Sequence, residues 1–167
     1  SRGVNGFITR DGVLPHDLRA MAIAELDKYP SVELRHVGVE DIEFLSTGFD
    51  AILSDGTREQ ARKLLLATGV ADNIPDIPGF QELYGHGVYN CPYCDGWEEQ
   101  DKRLAVYGPA DHGKKFALQL TTWSRDIVLC SDGPSGFSED DRATMQRNGV
   151  LLREEKITRL VGSDTAL

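Results

Sequence analysis

The stretch RLAVYGPADHG, residues 103–113, decides the fold, because an apolar strand, a glycine-rich turn and a helix start follow one another in it. We predict a strand over 103–107 and a helix over 113–123. The alternation continues with a predicted strand over 126–130, a helix over 137–148 and a strand over 150–152. Strands that alternate with helices in this way form a parallel sheet with right-handed crossovers. The sequence therefore predicts an α/β fold.

The turn has the spacing G-x-G-x-x-G of a dinucleotide-binding loop, with Gly108 and Gly113 at its ends but Ala110 in place of the second glycine. The second glycine lets a pyrophosphate approach the backbone closely. A Cβ on Ala110, the missing N–H of Pro109 and the charge of Asp111 all work against a phosphate. The same spacing also serves to start a helix tightly against a strand, so both interpretations stay open.

Asp132 lies about 20 residues beyond the last glycine of the turn, where an acidic residue binds a ribose diol in dinucleotide-binding domains. No cluster of Arg or Lys stands beside it to bind a 2′-phosphate. If a nicotinamide nucleotide binds here, we therefore expect NAD rather than NADP.

The chain before residue 103 has a different pattern of apolar residues. Apolar residues at spacings of three and four predict a helix over 15–29, and 31–37 is expected to form a short strand. Alternating apolar residues over 42–63, with a turn signal at Asp55-Gly56, predict an antiparallel meander of three strands. The apolar run at 64–67 is typical of a strand that is covered on both faces, and it ends at Thr68-Gly69.

The stretch CPYCDG, residues 91–96, places two thiols two residues apart at a predicted helix start. With Cys91 as the cap and Pro92 at the first helical position, Cys94 lies in the first turn beside unpaired backbone donors, which favour a thiolate. Such a pair lets a mixed disulfide collapse into an intramolecular one. Asp95 is a candidate proton carrier. We expect Cys91, at the cap, to be the more accessible thiol and the first to be alkylated.

Other uses of the two thiols are less well supported. Zinc needs about four ligands, and the rest of the chain offers only Cys130 and four histidines, without a second CxxC. We therefore predict no metal site. Three cysteines in 167 residues is not the density of a secreted, disulfide-stapled domain. Redox chemistry in the cytoplasm is the better interpretation.

The net charge of the chain limits the classes of binding partner that we expect. The chain has 18 Lys and Arg against 27 Asp and Glu, for a net charge of −9, which disfavours nucleic acid and anionic membranes. It has no run of about 18 apolar residues that could span a bilayer, and its first residues lack the pattern of a signal peptide. We therefore expect neither a nucleic-acid partner nor a membrane partner.

The order of the motifs resembles that of the thioredoxin reductase-like, FAD-dependent pyridine nucleotide-disulfide oxidoreductases. The resemblance rests on four stretches with matching separations: LLATG at 65–69, IPGF at 77–80, CPYCDGWE at 91–98 and the turn at 108–113. More narrowly, the chain is similar to a CPYC branch that includes the fungal dithiol oxidases of epidithiodiketopiperazine toxins. The tetrad CPYC also looks like a glutaredoxin active site, but that fold places its dithiol near the start of a small domain.

The resemblance implies a Rossmann-like FAD/NAD(P)-binding fold of three ββα layers, in two incomplete domains. Residues 1–86 would be a partial FAD-binding domain that contains the meander, and 87–167 a partial nicotinamide-binding domain that carries the dithiol. The family's amino-terminal glycine-rich strand and its closing FAD segment are not in the chain. We therefore interpret the chain as an internal fragment of an enzyme, with a shortened natural chain that pairs with a second subunit as the alternative.

The resemblance also implies roles for single residues. In that family, electrons pass between a nicotinamide, FAD and the dithiol, and then a small-molecule or protein disulfide. By position, Cys94 resembles the thiol that meets the flavin, Cys91 the outer thiol that exchanges with substrate, and Asp95 the acid–base group. Thr68-Gly69 resembles the turn that contacts FAD, and 108–113 the nicotinamide loop. A homodimer is also implied.

Two classes of function follow from the resemblance and the residues together. The first is an FAD-dependent, nicotinamide-linked disulfide oxidoreductase, although the altered turn at 108–113 favours either a dithiol oxidase that passes electrons to oxygen or a non-catalytic remnant. The second is a flavin-free, non-catalytic remnant or binding module. Steady oxidation of NADH or NADPH with a disulfide substrate would separate nicotinamide-driven reduction from both alternatives.

Overall fold

The computed structural model describes residues 3–162. Their secondary-structure elements, in chain order, are α1 (Pro15–Leu26), β1 (Val39–Leu45), β2 (Gly48–Leu53), β3 (Arg58–Ala61), α2 (Phe80–Leu83), α3 (Pro92–Asp95), β4 (Leu104–Tyr107), α4 (Ala110–Leu120), β5 (Ile127–Cys130), α5 (Glu139–Arg147) and β6 (Val150–Arg153). Two sheets of three strands each are formed. The chain is thus of the α/β class that the sequence predicts.

The elements divide into two compact units. The dithiol unit comprises Ser1–Leu18 and Ile74–Leu167, and the meander unit comprises Arg19–Asn73. These bounds differ from the domain boundary predicted between residues 86 and 87, which stays a prediction.

The sheet of the dithiol unit is parallel, with strand order β4-β5-β6. Leu104 lies opposite Ile127, and Ile127 lies opposite Val150 on its other side. Each strand is followed by a helix or preceded by one, so the predicted β-α-β-α-β order is confirmed. The core of the unit lies between this sheet and the helices α4 and α5, and its buried members are Val106, Ala117, Leu120, Ile127, Leu129, Met145 and Val150.

The helix α5 begins with the cap that its sequence suggests. The Ser138 hydroxyl accepts a hydrogen bond from the backbone N–H of Asp141 at 3.1 Å, and the Asp141 carboxylate accepts one from the backbone N–H of Ser138 at 3.2 Å. This reciprocal arrangement satisfies two backbone donors of the first turn. The acidic residues Glu139, Asp140 and Asp141, which form the first turn of α5, therefore have a structural explanation.

The sheet of the meander unit is antiparallel, with strand order β1-β2-β3. The turn at Asp55-Gly56 joins β2 to β3, as predicted, and the Asp55 carboxylate accepts a hydrogen bond from the backbone N–H of Thr57 at 2.9 Å. Gly56 has φ 82°, a conformation that a residue without Cβ adopts at little cost. Local turn chemistry thus fixes this hairpin.

Two strand predictions are wrong. Residues 31–37 and 64–67 belong to neither sheet of the described chain. A run of apolar residues becomes a strand only when a neighbouring strand takes up its backbone hydrogen bonds. Neither segment has such a neighbour within residues 3–162, and the Leu65 side chain is 87% exposed.

The helix α1 confirms the helical periodicity predicted from residue 15, but it ends at Leu26 rather than at residue 29. The last predicted turn instead forms tight backbone turns, with the N–H of Tyr29 bonded to the carbonyl of Leu26 at 2.9 Å. No helix within residues 3–162 has the length and apolar character needed to cross a membrane.

Candidate functional site: a dithiol helix beside a Rossmann-like turn

The two cysteines of the CPYC stretch lie at the cap and in the first turn of one short helix and are joined to each other. Cys91 is the residue before α3 and has an extended backbone with φ −129°, and Pro92 is the first helical residue. The Cys91 carbonyl accepts hydrogen bonds from the N–H groups of Cys94 and Asp95 at 3.1 and 3.3 Å. The sulfurs of Cys91 and Cys94 form a disulfide, with 5.3 Å between the Cα atoms. The predicted cap and first turn are confirmed.

The exposure of the two cysteines is the reverse of what the cap position led us to expect. Cys94 is exposed, whereas Cys91 is half-buried. The expectation that Cys91 is the more accessible residue is therefore wrong for this chain. A cap position fixes the backbone conformation of a residue, but the packing of the whole helix decides which side chains face outwards.

That packing is made by the end of α4. The Gln119 amide donates a hydrogen bond to the Tyr93 hydroxyl at 2.8 Å, and the Tyr93 ring meets the Trp123 ring edge-on, with 5.4 Å between centroids. Gly96 ends α3 so close to Trp123 that an added Cβ would lie 3.0 Å from two indole atoms and 2.2 Å from the Pro92 carbonyl oxygen. The dithiol helix is thus set, through Tyr93 and Gly96, against the end of α4 and against Trp123 just beyond it.

A second attachment comes from the amino-terminal loop, residues 3–13. The side-chain amide of Asn5 donates a hydrogen bond to the carbonyl oxygen of Cys94 at 3.0 Å. The two residues are 89 positions apart, and no sequence pattern relates them. Sequence reasoning therefore missed Asn5.

Asp95 follows Cys94 directly and is half-buried. Burial raises the pKa of the Asp95 carboxyl above its ordinary value of 3.8, and the charges of Glu98 and Glu99 act in the same direction. A carboxyl that holds its proton at higher pH than usual is suited to proton transfer. Its position next to the disulfide is consistent with the predicted acid–base role.

The glycine-rich turn joins β4 to α4, and its two end glycines touch. A Cβ on Gly113 would lie 2.3 Å from the Gly108 carbonyl oxygen, and a Cβ on Gly108 would lie 3.0 Å from the Gly113 Cα atom. Both glycines therefore let the helix approach the strand closely. Of the two interpretations that the sequence left open, the tight helix start is supported by these contacts.

The middle of the turn departs from the dinucleotide-binding pattern in two ways. Ala110, in place of the second glycine, has φ 45°, in the left-handed region where a side chain is unfavourable. Asp111 pairs with Lys114 at 2.9 Å and with Lys115 at 3.0 Å. Hydrogen bonds from these lysines lower the pKa of Asp111 to about 2. The first turn of α4, where anions bind to helices, thus holds a carboxylate that is already ion-paired within the chain.

Asp132 lies just after β5, as the sequence predicts for a ribose-binding acid, but its carboxylate is already engaged. One oxygen accepts a hydrogen bond from the backbone N–H of Ile157 at 2.7 Å, and the other pairs with the Lys156 ammonium at 2.9 Å. The hydrogen bond from Lys156, followed by that from Ile157, lowers the pKa of Asp132. In this arrangement Asp132 holds residues 156 and 157 against the end of β5.

Thr68-Gly69 and the third cysteine, Cys130, remain to be placed. Thr68-Gly69 belongs to the meander unit, where Gly69 has φ 70° and open space at the position of its missing Cβ. Cys130 is a half-buried free thiol at the end of β5, and burial raises its pKa. Within residues 3–162, no group of three or more His, Cys, Asp and Glu side chains could hold a metal ion.

The dithiol unit has a Rossmann-like parallel sheet with a glycine-rich turn after its first strand, and a pair of cysteines in a helical turn before that strand. These features define the class of disulfide oxidoreductases with a nucleotide-binding fold. Comparison with known proteins makes this assignment specific. Residues 25–165 match the family model described as pyridine nucleotide-disulphide oxidoreductase. The chain therefore belongs to the pyridine nucleotide-disulphide oxidoreductase family.

Its similar proteins include thioredoxin reductases. A protein of Arthroderma benhamiae named "Probable thioredoxin reductase" is 36% identical over 146 residues, which cover 84% of this chain and 36% of the relative. Thioredoxin reductase aclD of Aspergillus oryzae is 29% identical over 161 residues, which cover 89% of this chain and 50% of the relative. The crystal structure of an oxidoreductase from Agrobacterium tumefaciens superimposes with a TM-score of 0.89 at 28% identity, over 97% of this chain and 55% of that one. The chain thus spans about half or less of each relative.

The family implies two nucleotide cofactors, and the residues present fit them unequally. For FAD, the meander unit offers an open backbone position at Gly69. The pyridine-nucleotide site is altered. Ala110 replaces the second glycine of the turn, Asp111 is ion-paired with two lysines at the start of α4, and each oxygen of Asp132 already accepts a hydrogen bond within the chain.

Proposed function

We propose that this chain carries the thiol–disulfide exchange centre of an FAD-dependent oxidoreductase that acts on small-molecule or protein disulfides and dithiols. The observation that carries the proposal is the Cys91–Cys94 disulfide in one helical turn, with Cys94 exposed and Asp95 beside it. Membership of the family supports it. FAD, when bound, supplies two-electron exchange with this pair of cysteines, and Thr68-Gly69 is the proposed contact for it.

The exchange itself needs only groups of this chain and a substrate. In the reduced pair, a thiolate of one cysteine attacks the substrate disulfide, forms a mixed disulfide and releases one substrate thiol. The thiolate of the second cysteine then attacks the mixed disulfide, closes the Cys91–Cys94 bond and releases the second substrate thiol. The pair loses two electrons and the substrate gains them. Asp95, with its raised pKa, is the proposed carrier of the protons that the leaving thiols require.

We assign Cys91 to substrate exchange and Cys94 to the flavin, as the family resemblance implies. The exposure of Cys94 supports this assignment only if a cofactor covers it, since the more exposed thiol would otherwise be the one that substrate reaches. The two assignments make opposite predictions about where a mixed disulfide is trapped. This opposition is the basis of the first experiment.

The first experiment traps the mixed disulfide. The reduced chain, with and without FAD, is mixed with oxidised glutathione, quenched with an alkylating reagent and mapped by mass spectrometry. With FAD bound, Cys94→Ser should accumulate glutathione on Cys91, and Cys91→Ser should react more slowly at Cys94. Cys130→Ser is the matched control and should behave as the wild type. Adducts at Cys130 alone, or none at either partner, would refute the exchange centre.

A second candidate function is favoured by the turn at 108–113. Because Ala110 replaces the second glycine of the turn and the carboxylates of Asp111 and Asp132 are already paired within the chain, the same exchange in the opposite direction is a second use of the dithiol. A substrate dithiol then reduces the Cys91–Cys94 disulfide, leaves as a disulfide, and two electrons end on oxygen. Two measurements on the same FAD-loaded sample separate the candidates: oxygen consumption at an electrode and the absorbance of NADH or NADPH. Oxygen uptake driven by a dithiol supports the oxidase. Oxidation of the nucleotide driven by a disulfide excludes it.

A further inference from the structure

The dithiol helix is one turn long, so most of its backbone groups cannot be satisfied within it. The last carbonyls of any helix lack intrahelical partners. In α3 the Pro92 carbonyl is bonded to the N–H of Gly96 at 2.9 Å, and the Asp95 carbonyl to the N–H of Glu99 at 3.3 Å. The carbonyl of Cys94, which lies between them, is bonded instead to the Asn5 side chain.

The loop that presents Asn5 is held in shape by its own hydrogen bonds. The N–H of Val4 is bonded to the Val13 carbonyl at 2.7 Å, which closes the loop at its base. The N–H of Gly6 is bonded to the Asp11 carboxylate at 2.7 Å. These two bonds flank Asn5 on both sides in sequence. The Asn5 amide is therefore presented to Cys94 from a fixed position.

We propose that Asn5 is a positioning residue for the dithiol: its amide holds the backbone of Cys94 where the sulfur of that residue closes the disulfide with Cys91. The inference rests on the proposed exchange function and deepens it. The bond is present with the disulfide closed. When the disulfide opens, the Cys94 sulfur is no longer tied to Cys91, and one of the two constraints that align its backbone with Asn5 is removed, the other being the bond of its N–H to the Cys91 carbonyl. The bond therefore stabilises the oxidised pair more than the reduced pair.

The consequence is a change in the oxidation equilibrium. In glutathione buffers the reaction is Cys91-SH plus Cys94-SH plus oxidised glutathione, which gives the Cys91–Cys94 disulfide plus two reduced glutathiones. A net hydrogen bond of ordinary strength corresponds to about a fivefold change in an equilibrium constant. Asn5→Ala should therefore lower the equilibrium constant for oxidation about fivefold, or raise the reduction potential by about 20 mV at the two-electron conversion of about 30 mV per tenfold.

The chain offers a closely matched control. The Asn148 side-chain amide also donates to a backbone carbonyl, that of Thr144, at 2.8 Å, and it lies at the end of α5 in the same unit. Asn148→Ala thus removes the same kind of bond far along the chain from the dithiol. Asn5→Asp complements Asn5→Ala, because it keeps the size of the side chain while placing a carboxylate, which cannot donate, against the Cys94 carbonyl.

The test is a redox titration of the whole chain in glutathione buffers, read by alkylation and mass spectrometry, with unfolding in urea measured on the same samples. We expect Asn5→Ala and Asn5→Asp to shift the midpoint towards less negative potentials, and Asn148→Ala to titrate as the wild type. Equal midpoints for all four proteins, an equal shift in Asn148→Ala, or loss of folding in both Asn5 variants would overturn the positioning role. A wild-type pair that does not titrate reversibly would instead refute the exchange function itself.

Discussion

The substitution Gly113→Ala tests whether the glycine-rich turn is shaped by packing. A Cβ at residue 113 would lie 2.3 Å from the Gly108 carbonyl oxygen and 2.9 Å from the nearest Leu129 side-chain carbon. Carbon atoms in favourable contact lie about 3.5–4.0 Å apart. The start of α4 must therefore move away from β4 and β5 by about 1 Å before alanine fits.

Two effects of this substitution oppose each other. Alanine is a better helix former than glycine by about 1 kcal/mol, whereas overpacking a well-filled site costs about 1–3 kcal/mol. The obstructing atom is a backbone carbonyl, which cannot rotate away, and the displaced helix carries the fully buried Ala117. We therefore expect the upper part of the packing cost to apply and the variant to lose about 1–2 kcal/mol net. For a chain of this length, the melting temperature should fall by about 2–8 °C.

The assay follows from the placement of the two tryptophans. Trp97 and Trp123 both belong to the dithiol unit, so their fluorescence in urea reports the unfolding of that unit. Lys115→Ala is the control, because this exposed residue of the same helix loses only an exposed ion pair with Asp111, worth at most about 0.5 kcal/mol. If Gly113→Ala unfolds at the same urea concentration as the wild type, or at a higher one, helix propensity outweighs the contact and the packing argument is refuted.

Two further predictions concern pH. Folding raises the pKa of Asp95 above its ordinary 3.8 through burial, so the native chain loses stability as pH rises through the raised pKa. Asp95→Asn should therefore be more stable than the wild type at pH 7, by an amount that vanishes in acid. A difference in urea midpoints that does not change with pH would contradict this prediction. Glu154 has the opposite sign, because hydrogen bonds from Arg142 and Ser135 lower its pKa to about 2, so its stabilisation is present above its ordinary 4.5 and is lost as pH falls towards 2. Glu154→Gln should therefore unfold in less urea than the wild type at pH 7 and match it near pH 2, and an equal deficit at both pH values would count against the assignment.

Features set by short-range sequence are the ones that could be predicted. The turn at Asp55-Gly56 and the cap at Ser138 each depend on residues within three positions of one another. The start of α3 at Pro92 likewise follows from the fixed φ of proline and its missing N–H. Such patterns carry their physical cause within a few residues.

The wrong predictions concern features that depend on contacts with residues far away in the sequence. Residues 64–67 have the apolar character of a buried strand, yet the described chain places no strand beside them, and Leu65 stays exposed. The prediction of which cysteine is more exposed, Cys91 or Cys94, was wrong for a related reason. The segment packs through Tyr93 and Gly96 against Trp123, which lies 27 residues beyond Gly96 in the sequence.

The candidate site was predicted for its chemistry rather than for its supports. The dithiol and the neighbouring acid can be recognised by residue type and spacing, because few other functions require that pattern. Asp132 was placed correctly after β5, but its bonds to Ile157 and Lys156 came only with the structure. A carboxylate looks the same in a sequence whether it is free for a ligand or already used by its own chain.

The dithiol unit is interrupted in the chain by residues 19–73, and this has a consequence for the order of events during synthesis. The disulfide closes over a separation of three residues, whereas the bond between Asn5 and Cys94 closes over 89. The longer closure costs roughly 3 kcal/mol more in chain entropy. Residue 94 is made after residues 19–73, so both closures wait for it. Given an oxidant, the disulfide can close in one turn of otherwise unfolded chain, whereas the bond from Asn5 forms only when the amino-terminal loop and the dithiol helix come together as the unit folds.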